Sequence, residues 1–130
     1  MSADTSMPIL VVDDYQTMVR IIGNLLKQIG FTNVDEANNG VQAMEKIATK
    51  QYGLIISDWN MQPMTGFELL QKLRADPAHA HTPFIMVTAE SKTDNVIAAR
   101  KAGVSGYIVK PFNAATLKAK IDAVFTARAA

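Results

Sequence analysis

The chain of 130 residues has no cysteine, which excludes disulfides and thiol chemistry and fits a reducing cytoplasm. It has little net charge, +1 formally, so nothing global recommends nucleic acid or an anionic membrane as a partner. No apolar run is long enough to span a bilayer. Residues 1–7 carry Asp4 but lack the basic start and apolar core of a signal peptide. No glycine-rich phosphate loop follows the first apolar segment, and no repeat, linker or low-complexity stretch interrupts the chain. What is present is ordinary for a globular protein: 48% hydrophobic residues and 19% charged, enough to bury a core between a sheet and flanking helices. The expectation is one soluble, cytoplasmic domain with no demand for more than a monomer.

The apolar residues fall into two alternating patterns. Ile9–Val12, Leu54-Ile55-Ile56 and Phe84-Ile85-Met86-Val87 are continuous runs that suit strands covered on both faces, hence a parallel sheet with helices above and below. Further strands fall around Val34 and at Tyr107-Ile108-Val109. Between them, Met18, Ile22, Leu25, Leu26 and Ile29 lie at i, i+4, i+7, i+8 and i+11, a helix stopped by Gly30. Asn39-Gly40 precedes a second helix with Val41, Met44, Ile47 and Ala48 inward. Thr65 and Glu68 stand at capping-box spacing ahead of a third, ended by Ala75-Asp76-Pro77. Ser91 and Asp94 open a fourth in the same way, closed by Gly103. Leu117, Ile121, Val124 and Phe125 mark a fifth, capped by Asn113. Strict β-α repetition with right-handed crossovers gives a doubly wound α/β sandwich.

Four of the five apolar segments run into residues suited to magnesium-dependent phosphoryl chemistry. Ile9–Val12 meets Asp13-Asp14, the second run meets Ser57-Asp58, the third meets Thr88, and the last meets Lys110-Pro111. All would converge on the C-terminal edge of the sheet, where open parallel sheets bind ligands. Three carboxylates brought together at pH 7 repel one another, and Mg2+, which takes carboxylate and phosphate oxygens, resolves the conflict. Taken singly, each Asp reads as a helix cap or turn residue; the clustering with a lysine favours a site. A carboxylate can attack a phosphoryl group to give an aspartyl phosphate. Asp58 ends the central strand with Asp13 and Asp14 on its flank and is the candidate nucleophile. Asp14 is a direct metal ligand in this reading and Asp13 acts through water. Lys110 supplies the opposing charge, and Thr88 a hydroxyl donor to phosphoryl oxygens.

Ile9-Leu10-Val11-Val12-Asp13-Asp14, Ser57-Asp58-Trp59-Asn60-Met61, Met86-Val87-Thr88-Ala89-Glu90, Ser105-Gly106-Tyr107 and Val109-Lys110-Pro111-Phe112 together resemble bacterial response-regulator receiver domains, in particular the single-domain chemotaxis regulators. The resemblance spans residues 8–127 and leaves 1–7 as a flexible N-terminal tail and 128–130 as a C-terminal tail. It implies a flavodoxin-like doubly wound five-stranded parallel sheet of order 2-1-3-4-5 with five flanking helices, an order that comes with the resemblance and not from spacing. It also implies that a chemotaxis-type histidine kinase phosphorylates Asp58, with Mg2+ on Asp14, Asp58 and the Asn60 main-chain carbonyl, and Asp13 in the same acidic pocket. Thr88 then moves toward the phosphoryl group and Tyr107 turns inward. The fourth helix, fifth strand and fifth helix present the output to a flagellar motor switch protein or another phospho-dependent target. Positions like Asn60 and Glu90 tune hydrolysis, and Lys110-Pro111 matches the family's cis peptide. Such a protein is a switch that assists its own phosphorylation and dephosphorylation, not an enzyme acting on a separate substrate.

Two departures stand out. Gln62 and Thr65 occupy positions where the family usually has proline and an acidic residue, with proline displaced to Pro63; Ala119 and Ala123 replace charged residues on the output face, while Lys120 is kept. Competing readings are a phosphate sink or relay intermediate without motor contact, a phosphatase, and a flavin or nucleotide carrier. The phosphatase is disfavoured because Asn60 stands where the second acid would be. The carrier is disfavoured because Asp13-Asp14 repels phosphate. His79 and His81 read as solvated loop residues, and Met61 and Met64 as gap-fillers. Lys92, Arg100, Lys101, Lys118 and Lys120 give the last helices a basic lean, and Trp59, the single tryptophan, reads as a reporter beside the pocket.

Overall fold

Unbroken aliphatic runs become strands buried on both sides. In a computed structural model that describes residues 4–89 and 93–129, the elements follow as β1 Ile9–Val12, α1 Gln16–Ile29, β2 Val34–Ala37, α2 Gly40–Thr49, β3 Leu54–Asp58, α3 Gly66–Ala75, β4 Phe84–Thr88, α4 Thr93–Lys101, β5 Gly106–Val109 and α5 Ala114–Ala129. All neighbouring strands pair in parallel, in the order β2-β1-β3-β4-β5. This is the flavodoxin-like sheet that the resemblance implied.

The period-2 pleat splits each run between two cores. Ile9, Val11, Leu54, Ile56, Ile85 and Val87 face α1 and α5, where Val19, Ile22, Leu26, Leu117 and Ile121 close over them. Leu10, Val12, Ile55, Phe84 and Met86 face α2 and α3, against Ala43, Ile47, Leu69, Leu70 and Leu73. Fully burying one such side chain contributes about 1.5–3 kcal/mol, so both faces of the three central strands hold the sheet in register.

The helix boundaries follow local chemistry. Gly30 ends α1 with φ 117°, a left-handed turn that costs glycine nothing. The expected capping box on α3 is present: Thr65 Oγ1 accepts from the Glu68 amide at 3.1 Å while Glu68 Oε1 accepts from the Thr65 amide at 3.1 Å. Asn113 Oδ1 takes the Thr116 amide at 2.9 Å and caps α5. The inward face of α2 differs from the expectation. Gly40, Ala43 and Ile47 are buried and Met44 is partly buried, while Val41 and Ala48 are exposed. Val41 and Ala48, seven apart, share a stripe one residue further round the helix than the Gly40–Ile47 stripe, and that rotation turns them to solvent. Asp94 lies in the first turn of α4, whereas Ser91, Glu90 and Lys92 lie outside the described residues. Among the described residues no helix is long and apolar enough to cross a membrane.

Candidate functional site

Strand register brings the acidic residues together. Val12 pairs with Ser57, so Asp13, one residue on, stands level with Asp58 at the C-terminal ends of β1 and β3. Thr88 ends β4 opposite Val109, and Lys110 follows directly. Main-chain bonds fix these ends: the Asp13 amide donates to the Ala37 carbonyl at 3.2 Å, the Trp59 amide to Val87 at 3.1 Å, and the Lys110 amide to Thr88 at 2.8 Å. The Lys110-Pro111 peptide is cis, as the resemblance implied, and Gln62-Pro63 is cis as well.

Asp13, Asp14 and Asp58 each present a carboxylate oxygen within 4.8 Å of the others. Asp13 and Asp58 are buried, at 1% and 6% exposure, and Asp14 is exposed. Lys110 Nζ reaches Asp58 Oδ1 at 3.1 Å and Asp13 Oδ2 at 3.5 Å. Burial pushes the Asp58 carboxyl above its ordinary range; Lys110 opposes the shift and Asp14 adds to it. Burial likewise raises Asp13, opposed by the Tyr15 amide, which donates to Asp13 Oδ1 at 3.0 Å, and reinforced by Asp58. Three carboxylates against one ammonium leave two negative charges. Those hard oxygen donors and that charge match a magnesium ion.

Asp14 shares a cleft of about 190 Å3 with Asn60, Met61, Gln62 and Thr65. Asn60 is exposed there, beside Asp14 at the mouth of the acidic cluster. Asp14 does not cap α1: the cap position belongs to Tyr15, with no side-chain cap bond. Thr88 is fully buried at the strand end. Tyr107, opposite Met86 on β5, is half-buried and lies edge-on to Trp59, ring centres 6.4 Å apart. Trp59 itself stacks on Phe67 at 5.2 Å. Glu90 is outside the described residues.

The expectation of solvated loop histidines fails for His79. Its side chain is 13% exposed and lies 3.9 Å from Asp76, because Arg74 donates to the His79 carbonyl at 3.2 Å and folds the loop inward. A larger depression of about 480 Å3, bordered by Pro8, Tyr52, Gly53 and Pro83, lies at the opposite end of the strands and has no carboxylate in its lining. Volume therefore does not locate the chemistry; the charge cluster does.

Sequence reasoning missed Gly66 and Phe67. A Cβ built on Gly66 would overlap the Asp58 carbonyl oxygen, and the Gly66 amide donates to the Trp59 carbonyl at 2.9 Å. The one available signal was a glycine in the first helical position directly after a capping threonine, where most residues would serve. No periodicity marks Phe67 as the ring beneath Trp59.

Known proteins agree with this geometry. The chain matches the response regulator receiver domain family over residues 9–122. It is 50% identical over 119 residues to the chemotaxis protein CheY of Pseudomonas aeruginosa, covering 92% of this chain and 96% of that one. It is 48% identical over 120 residues to the chemotaxis protein CheY-3 of Vibrio cholerae, covering 92% of each. The solved structure of the Vibrio cholerae chemotaxis protein CheY4 superposes with a TM-score of 0.85 at 32% identity, over 92% of this chain and 98% of that one. The acidic strand ends, the sheet order and these likenesses agree: the chain belongs to the response regulator receiver domain family.

Proposed function

We propose that the protein is a two-component response regulator whose Asp58 accepts a phosphoryl group from a chemotaxis-type histidine kinase. The observation that carries this reading is the Lys110 ammonium 3.1 Å from a buried Asp58 that has two further carboxylates beside it. An Asp58 oxygen forms the new bond to phosphorus as the bond to the kinase histidine nitrogen breaks; the bonding pair stays on that nitrogen while the other ring nitrogen carries a proton, leaving a neutral imidazole and an acyl phosphate. Asp13, Asp14, Asp58 and the Asn60 carbonyl would hold Mg2+, which when bound would supply charge neutralisation at the phosphoryl oxygens. Lys110 offers its ammonium to one phosphoryl oxygen, and the Thr88 hydroxyl donates to another. Burial keeps bulk water from the acyl phosphate, while Asn60 at the mouth and Glu90, two residues after Thr88 in sequence, tune its hydrolysis.

In this reading residues 8–127 form the receiver unit. Movement of Thr88 toward the phosphoryl group makes room for Tyr107 to turn inward, and the surface of α4, β5 and α5 changes shape. The relatives are named chemotaxis proteins, which supports a chemotaxis output; the target in this reading is a flagellar motor switch protein and the working form a cytoplasmic, monomeric switch. Incubation with a chemotaxis-type kinase labelled on its histidine tests it. The label is expected to leave the kinase and appear on the wild type but not on Asp58→Asn. Retention of the label on the kinase with the wild type present would contradict the proposal.

A further inference from the structure

The loop from Trp59 to Thr65 is pinned at its base by the Gly66–Trp59 bond and at its crest by two methionines. Met61 is buried in the core between the sheet and α2–α3, at 2% exposure. Met64 lies over Gly40, the first residue of α2. A Cβ at Gly40 would sit 2.8 Å from both Met64 Cβ and Sδ and 2.9 Å from its Cγ, closer than side chains pack. The missing side chain at Gly40 is therefore the seat of Met64. Gly40 opens α2 three residues after Ala37, the last residue of β2, whose carbonyl holds the Asp13 amide. One apolar contact thus ties the loop carrying Asn60 to the segment that fixes Asp13.

We infer that Met64, seated on the bare backbone of Gly40, is a positioning residue that sets the cation affinity of the acidic pocket by holding the Asn60 main chain opposite Asp13 and Asp14. The inference rests on the Mg2+ reading above and adds a residue to it that touches no ligand. Its physical basis is that oxygen donors on a loose loop must be ordered when the ion binds, whereas a braced loop presents them already placed. Methionine suits the task because its unbranched, polarisable side chain fills an irregular seat.

Isothermal titration with MgCl2 tests this on the wild type, Gly40→Ala, Met64→Ala, the double variant and Met64→Leu, with urea melts alongside. Each of the first two single changes is expected to weaken Mg2+ binding on the order of ten-fold, as loss of a supporting contact around a metal does. The two effects should not add, because the methyl of Gly40→Ala displaces the same Sδ and Cγ that Met64→Ala removes. Met64→Leu, which keeps the volume, should stay within about two-fold of wild type and guards against misfolding of the harsher variants. Unchanged Mg2+ affinity in both single variants, with stability alone altered, would overturn the inference, as would additive losses in the double variant. A wild type that binds no Mg2+ would sink the pocket reading itself, an outcome distinct from those two.

Discussion

Gly66→Ala is expected to destabilise the protein by about 3 kcal/mol, the upper end of overpacking penalties, and to lower its melting temperature by roughly 10 °C. The new methyl overlaps the Asp58 carbonyl oxygen and comes within 3.0 Å of Met86 Sδ. A side chain could swing away, but the oxygen belongs to the peptide that ends β3, and the Gly66 amide is itself tied to the Trp59 carbonyl. Either α3 slides or the end of β3 twists. Both displace Asp58 from Lys110, so acceptor yield should fall with stability. Gly23→Ala is the matched control. A Cβ there meets nothing within 4 Å, and alanine in a helix interior should add about 0.5–1 kcal/mol. Thermal melts in which the Gly66→Ala variant behaves like wild type would refute the close approach of α3 to the end of β3.

Lys110→Ala and Asp58→Asn should move stability in opposite directions. Lys110 faces two buried carboxylates, and removing it leaves both uncompensated, at a cost of about 3 kcal/mol at pH 7. The sign of the pH dependence follows from the raised carboxyls. Asp13 and Asp58 hold their protons more tightly in the folded protein than in the unfolded chain, where the ordinary value is 3.8. Stability from this pair is therefore full below that value and is lost as pH rises through the raised folded values. Without Lys110 the folded values rise further, so the deficit against wild type should be widest at neutral pH and narrow on acidification. Asp58→Asn removes one buried charge from a cluster in which carboxylates outnumber the lysine, and should stabilise the metal-free protein at pH 7. Urea melts between pH 4 and pH 8 decide it. A Lys110→Ala deficit that does not change with pH would show that the lysine acts through packing alone.

How much of this was legible in the chain depends on the physics behind each feature. The sheet was readable because continuous apolar runs leave few alternatives once helical spacings separate them, and Asp13, Asp14, Asp58 and Lys110 stood at the ends of those runs. Thr65 and Glu68 announced α3 through a spacing with one mechanism. The inward face of α2 was misjudged because, in ten residues, Val41 and Ile47 are both apolar and periodicity alone does not choose between adjacent stripes. His79 was misjudged because its burial depends on Arg74, a contact set by tertiary folding. Gly66 and the Met64–Gly40 seat were invisible for the same reason: each is a close approach between segments, and a sequence records the absence of a side chain without saying what fills the space. Strand order came only from family resemblance, since parallel crossovers of similar length permit several orders.

The most direct test of the central proposal is intact mass after incubation with acetyl phosphate, with and without Mg2+, on wild type and Asp58→Asn. A single phosphoryl adduct on the wild type, dependent on Mg2+ and absent from Asp58→Asn, is the expected result. An adduct that persists in Asp58→Asn, or that forms equally well without Mg2+, would contradict it.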